Sequence, residues 1–252
     1  MLSKNKIKYI HALSTKKKRN ADNVFVAEGP KTVGDILARQ DAKCLIATQQ
    51  WFNENSQAMA HSSEIIVVTE EELQKASLQQ APQQVIAVFE QQHPHISATD
   101  ISSQLVLALD GVQDPGNLGT IIRIADWFGI NTIICSPDTA DAFNPKVVQA
   151  TMGSIARVKI AYTPLAAFIK SLPTTYPVYA TLLDGDNIYE TILSQHGLIV
   201  MGNEGNGISQ EVRQCISNKL LIPTFATSPD KADSLNVAIA TAIVCSEFRR
   251  NR

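Results

Sequence analysis

The sequence has few of the features that would place it in a specialised class of protein. Its four cysteines, Cys44, Cys135, Cys215 and Cys245, lie far apart and form no C-x-x-C pair. That argues against a disulfide scaffold or a thiolate zinc site and for buried, reduced thiols. No apolar run approaches the ~20 residues of a membrane-spanning helix, and the basic N-terminus lacks the apolar stretch of a signal peptide. The expectation is a soluble cytoplasmic protein with no membrane contact. Internal repeats and low-complexity tracts are missing too. His93 and His95 stand close together, but nothing at ligand spacing accompanies them, so no metal is expected. With 44% hydrophobic and 18% charged residues, the chain can bury a sizeable core and is not a disordered one.

Acidic residues are absent from the first nineteen positions, which carry seven basic ones and end in Lys16-Lys17-Lys18-Arg19. Residues 1–50 hold ten Lys+Arg against four Asp+Glu, and residues 51–100 hold one against seven. A basic run is either a solvated face or a contact for nucleic acid. Lys16, Lys17, Lys18 and Arg19 are the candidate RNA-binding residues, through charge rather than sequence readout.

The patterning is that of strands alternating with helices. Residues 4–14 read as a basic helix, Val24–Glu28 as a strand ending at Gly29, and Pro30 as the first position of a helix to Arg39. Strands at Cys44–Thr48, Ile65–Val68 and Val85–Phe89, with helices at 51–60 and 70–76, complete a small α/β domain over 1–92. The polar stretch 91–103 reads as a linker. A second domain, 104–252, has strands expected at 105–109, 132–135, 156–160, 178–181, 198–201 and 220–222. Helices are expected at 118–128, 144–151, 164–171, 209–216 and 235–249. This implies a mostly parallel sheet covered on both faces, with ligands at the carboxyl ends of its strands.

Three loops of that domain carry chemistry. In the first, the apolar run Leu105–Leu109 ends at Asp110-Gly111, and Asn117 is placed to cap a helix to Phe128. Gly111 and Gly116 have phosphate-loop spacing, but Asn117-Leu118 follows where Lys-Ser/Thr is required, so this is no nucleotide P-loop. Arg123 is the one basic residue between Gly111 and Asn131; it is either a surface partner of Asp126 or a ligand contact. The second loop, Met201-Gly202-Asn203-Glu204-Gly205-Asn206-Gly207-Ile208-Ser209, holds three glycines that permit close approach or positive φ. Its spacing is not that of a dinucleotide fingerprint. The third runs from Ile222-Pro223 to Ser234-Leu235-Asn236-Val237, where Ser234 or Asp233 caps a last helix rich in Ala and Ile.

Taken in order, Asn117-Leu118-Gly119-Thr120-Ile121-Ile122-Arg123, the glycine loop and Ile222-Pro223 with Ser234-Leu235-Asn236-Val237 resemble the three motifs of the SpoU/TrmH RNA ribose 2′-O-methyltransferases, within the SPOUT superfamily. The first domain is similar, more loosely, to their substrate-binding domain at Phe25-Val26-Ala27-Glu28-Gly29. The resemblance implies an α/β fold with a C-terminal trefoil knot, S-adenosylmethionine as cofactor, and a homodimer through the catalytic domain. It carries catalytic roles to Asn117, Arg123, Glu204, Ser234 and Asn236, and cofactor contacts to Thr181, Met201, Gly202, Ile222 and Leu235. Departures are a longer 224–233 loop and Gln149 where a basic residue is frequent. The implied reaction moves a methyl group to a 2′-hydroxyl of ribosomal or transfer RNA. Arginine is a poor base, which assigns Arg123 to the ribose and adjoining phosphate; a family-style alternative has Arg123 itself take the proton, and Glu204 is the other candidate base or else the group orienting Arg123. A non-catalytic RNA-binding module on the same fold is the alternative, and a nucleotide-dependent oxidoreductase is disfavoured by the glycine spacing.

Overall fold

The computed structural model describes residues 2–228, 230 and 232–250. In chain order its elements are α1 (Lys4–Ala12), α2 (Lys16–Asp22), β1 (Val24–Glu28), α3 (Pro30–Leu37), β2 (Ala42–Thr48), α4 (Gln49–Glu54), β3 (Ile65–Val68), α5 (Glu70–Ala76) and β4 (Val85–Glu90). There follow α6 (Ala98–Ile101), β5 (Leu105–Asp110), α7 (Pro115–Trp127), β6 (Thr132–Cys135), α8 (Pro145–Ala150), β7 (Lys159–Tyr162) and α9 (Leu165–Lys170). The chain closes with β8 (Val178–Asn187), β9 (Gly197–Gly202), α10 (Gln210–Arg213), β10 (Asn218–Leu221) and α11 (Val237–Arg249). Two compact units result, Met1–Gln92 with Asp141–Arg157, and His93–Ala140 with Val158–Arg252.

In the first unit four strands lie in the order β1-β4-β2-β3, with β4 antiparallel to both neighbours and β2 parallel to β3. Phe25, Leu45, Trp51 and Phe89 fill one face, and Ile10, Leu13, Ile46 and Ile86 the other. Residues 141–157 correct the expected domain boundary. They fold with the first unit because Phe143 packs on Phe25 with ring centroids 5.0 Å apart, and Val148 joins the core. The expected strand at 156–160 is displaced for the same reason. Ile155 and Ala156, the last two residues of a short 3-10 turn, pack on that core, Arg157 reaches Asp35 at 3.1 Å, and β7 starts at Lys159. The linker is also more ordered than its composition indicates, since Ser97 and Asp100 form a capping box that opens α6.

The second unit is a six-stranded sheet in the order β10-β8-β9-β5-β6-β7, every neighbouring pair parallel. All six residues of β5 are buried, as a strand covered on both faces requires. From β5 the chain proceeds outward through β6 and β7, then crosses to the other side of β5, where β9 lies beside it, β8 next and β10 at the edge. The strand order therefore reverses between β5 and β9, the place where open parallel sheets bind ligands. Among the described residues no helix is long and apolar enough to cross a membrane, and no cluster of three or more His, Cys, Asp or Glu could hold a metal.

Candidate active site

Asp110 and Gly202 are register partners at the carboxyl ends of β5 and β9, so the loops that follow leave the sheet side by side. Polar groups tie them together. The buried Asp110 carboxylate accepts the Ser209 N–H at 2.7 Å, and Asn203 Nδ2 donates to the Gly111 carbonyl at 2.6 Å. Two of the three glycines have distinct physical causes. A Cβ on Gly202 would lie 2.5 Å from the Gly207 backbone, whereas Gly207 holds φ +68°.

Helix α7 begins three residues earlier than its apolar pattern indicates. Asp114, not Asn117, is the cap, and its Oδ1 accepts the Asn117 N–H at 2.7 Å. Pro115 explains this, since its fixed φ suits the first helical position. Asn117 thus sits within the first turn with its side chain available. Its Nδ2 donates to Glu204 Oε1 at 2.8 Å, and its Oδ1 accepts from Asn236 Nδ2 at 2.9 Å. Asn236 Oδ1 accepts the N–H groups of Ala238 and Ile239 at 3.0 and 3.3 Å, so Asn236 caps α11 in place of the expected Ser234 or Asp233. Three segments of the chain therefore meet in one string of hydrogen bonds, amide to amide to carboxylate. At the far ends of these helices, Arg249 Nε donates to the Phe128 carbonyl at 2.9 Å. Helices α7 and α11 run side by side in one direction, and both positive dipole ends lie at Glu204.

Arg123 and Ser234 stand outside that string. Arg123 is exposed on a stripe of α7 with Gly116, Thr120 and Trp127, and forms no hydrogen bond or ion pair with a described residue. The surface pair with Asp126 is not made. Ser234 is exposed on the chain entering α11. Of the expected cofactor residues, Thr181 and Met201 lie on adjacent strands, with the hydroxyl 3.7 Å from the sulfur of the buried Met201. Gly202 ends β9, Ile222 follows β10, and Leu235, about half-exposed, precedes Asn236. In the loop 224–233, Pro229 and Lys231 lie outside the described residues.

The basic cluster is corrected at one position. Arg19 is 1% exposed, with its guanidinium on the carbonyls of Leu13 and Ser14 and on Asp141 at 2.6 Å. Lys18 reaches Asp22 at 2.9 Å, and Lys16 and Lys17 are exposed. The sequence reading also passed over Asp110, Asp114 and Asn203. The Asp114-Pro115 pair is an ordinary helix-start signal; the partners of Asp110 and Asn203 are far away in the chain and leave no local trace.

Residues 104–246 match the model of the SpoU rRNA Methylase family, and residues 4–87 that of the MRM3-like substrate binding domain. The 23S rRNA (guanosine(2553)-2'-O)-methyltransferase RlmP of Bacillus subtilis is 30% identical over 246 residues, covering 97% of this chain and 96% of that protein. Among solved structures, a TrmH-family protein from Porphyromonas gingivalis aligns over 100% of both chains with a TM-score of 0.85 and 40% identity. An AdoMet-bound rRNA methyltransferase from Sinorhizobium meliloti aligns over 99% of this chain and 96% of that one, with a TM-score of 0.87 and 34% identity.

Proposed function

The chain belongs to the SpoU rRNA methylase family, and we propose that this RNA ribose 2′-O-methyltransferase works through Glu204, Asn117 and Asn236, with Arg123 on the substrate. The observation that carries the reading is the string of hydrogen bonds joining the three motifs at one carboxylate. S-adenosylmethionine, when bound, supplies a methyl group already activated by its sulfonium, so the leaving group needs no acid. The residues present fit that cofactor. Ile222 and Leu235 offer apolar surface to a purine, Thr181 offers a hydroxyl beside the buried Met201, and Gly202 lets the two feet of the glycine loop close against each other where a Cβ would not fit.

What remains for the chain is to align a 2′-oxygen and take its proton. Alignment alone contributes several kcal/mol. Asn117 holds one oxygen of Glu204, which leaves the other to accept the proton as the 2′-oxygen attacks the methyl carbon. A guanidinium is a poor base, so Arg123 acts on the ribose and adjoining phosphate, stabilising the developing alkoxide. Ser234 contributes from the turn that presents Asn236. The 2′-hydroxyl is what separates RNA from DNA, and relatives named for 23S rRNA favour ribosomal over transfer RNA.

The finer organisation belongs to the same proposal. The first unit, which matches a substrate-binding model, supplies RNA affinity through Lys16, Lys17 and Lys18. A second copy covers the exposed Trp127 and Ile239 on α7 and α11, making a homodimer. A trefoil knot is supported by the return of the chain from edge strand β10 to Asn117 beside the central β5. A cytoplasmic location accords with the RNA substrate.

Arg123→Ala is the test. It should lower kcat by about a hundredfold or more, while S-adenosylmethionine binding, followed by calorimetry, persists. Arg123→Lys should not restore the rate, because an ammonium lacks the planar fork. Retained transfer would return Arg123 to the solvated surface, and lost cofactor binding would place it in the other pocket.

A further inference from the structure

The loop that carries Glu204 is short, exposed at its tip, and held at both feet by the end of β5. At the distal foot Asp110 takes the Ser209 N–H. The near foot is Asn203, whose side chain makes three bonds. Its Oδ1 accepts the N–H groups of Gly205 and Asn206 at 2.9 Å each, which closes the turn around Glu204. Its Nδ2 donates to the Gly111 carbonyl, which ties that turn to the first loop. The anchor is itself fixed from behind. Gly111 holds φ +73°, its N–H donates to Ser136 Oγ at 2.8 Å, and Ser136 bonds Thr139, whose hydroxyl donates to the Leu109 carbonyl. Ser136 and Thr139 are both buried.

We propose that Asn203 is a positioning residue for methyl transfer: through the Gly111 carbonyl it sets the reach of the Glu204 carboxylate to Asn117. The inference rests on the reading that Glu204 acts in the reaction. Closing the turn and tethering it use different atoms of the same side chain, so the two roles separate. Asn203→Asp keeps the acceptor that closes the turn. It removes the donor and sets a carboxylate against a buried carbonyl, which pushes the Glu204 loop away from its partner. A displacement of about an ångström at a reacting group costs up to a hundredfold in rate.

The experiment is a double-mutant cycle on methyl transfer, with Asn203→Asp, Glu204→Ala and the pair, all in the full chain. Asn203→Asp should lower kcat about tenfold or more while leaving the KM for S-adenosylmethionine unchanged. In the Glu204→Ala background it should have no further effect, since it acts through that carboxylate. Asn203→Ser, which lacks the reach to Gly111, should behave like the aspartate. Additive losses, or a loss in KM alone, would overturn the positioning role. A Glu204→Ala chain as fast as the wild type would instead remove the reading of Glu204 on which it rests.

Discussion

Arg19 and its neighbours Lys16 and Lys17 carry the same charge in one seven-residue helix, yet their surroundings assign them different tasks. The Arg19 guanidinium is buried on two carbonyls and the Asp141 carboxylate, so Arg19→Ala would leave that carboxylate facing an empty partner position. Breaking a buried pair from one side costs about 3 kcal/mol or more, and denaturant unfolding should show a loss of that size. Lys16 and Lys17 bury little and pair with no acidic side chain among the described residues, so their joint change to alanine should leave the unfolding midpoint in place. It should weaken RNA binding and flatten the salt slope by up to about one log–log unit for each phosphate no longer neutralised. An unchanged slope would remove the first helices from the RNA surface. The sequence shows four adjacent basic residues and cannot distinguish them, because what singles out Arg19 is an acid 122 positions away.

Elements whose ends are written in local chemistry were legible. Pro30 after Gly29, Asn144 before Pro145 and the Thr69–Glu72 capping box all start helices where their residue types place them. Asp114-Pro115 belongs with them, although the apolar periodicity by itself begins only at Leu118. The alternation of strands and helices identified the parallel sheet, and the three motif loops meet at its carboxyl edge as a reversal of strand order demands. What local pattern could not supply is allegiance. Residues 141–157 look like another helix and strand of the second domain, and only the packing of Phe143, Val148 and Ile155 on the first core shows otherwise. The strand β8 likewise runs to Asn187, beyond the expected 181, because β10 pairs with it twice across a break in register. Asn203 was unreadable for the same reason, its decisive partner being a carbonyl 92 residues earlier.

For the molecule as a whole, the apolar side chains left outside are as informative as those within. Trp127 is 84% and Ile239 54% exposed on parallel helices whose other faces are buried. If a second copy covers this surface, as proposed, Trp127→Asp should convert a sedimenting dimer to a monomer at micromolar concentration. A wild-type monomer would withdraw the dimer. In the proposed reaction, the Glu204 carboxylate at the meeting of three loops serves methylation of a ribose 2′-oxygen in RNA. Alkali cleaves RNA only where a free 2′-hydroxyl can attack its own phosphate, and a methyl group there blocks the attack. The most direct measurement is therefore transfer of tritiated methyl from S-adenosylmethionine to ribosomal RNA, followed by alkaline digestion. The label should emerge in alkali-resistant dinucleotides with the wild-type chain and fall about a hundredfold or more with Glu204→Ala; label in mononucleotides, or transfer at the wild-type rate after the substitution, would contradict this role of the carboxylate.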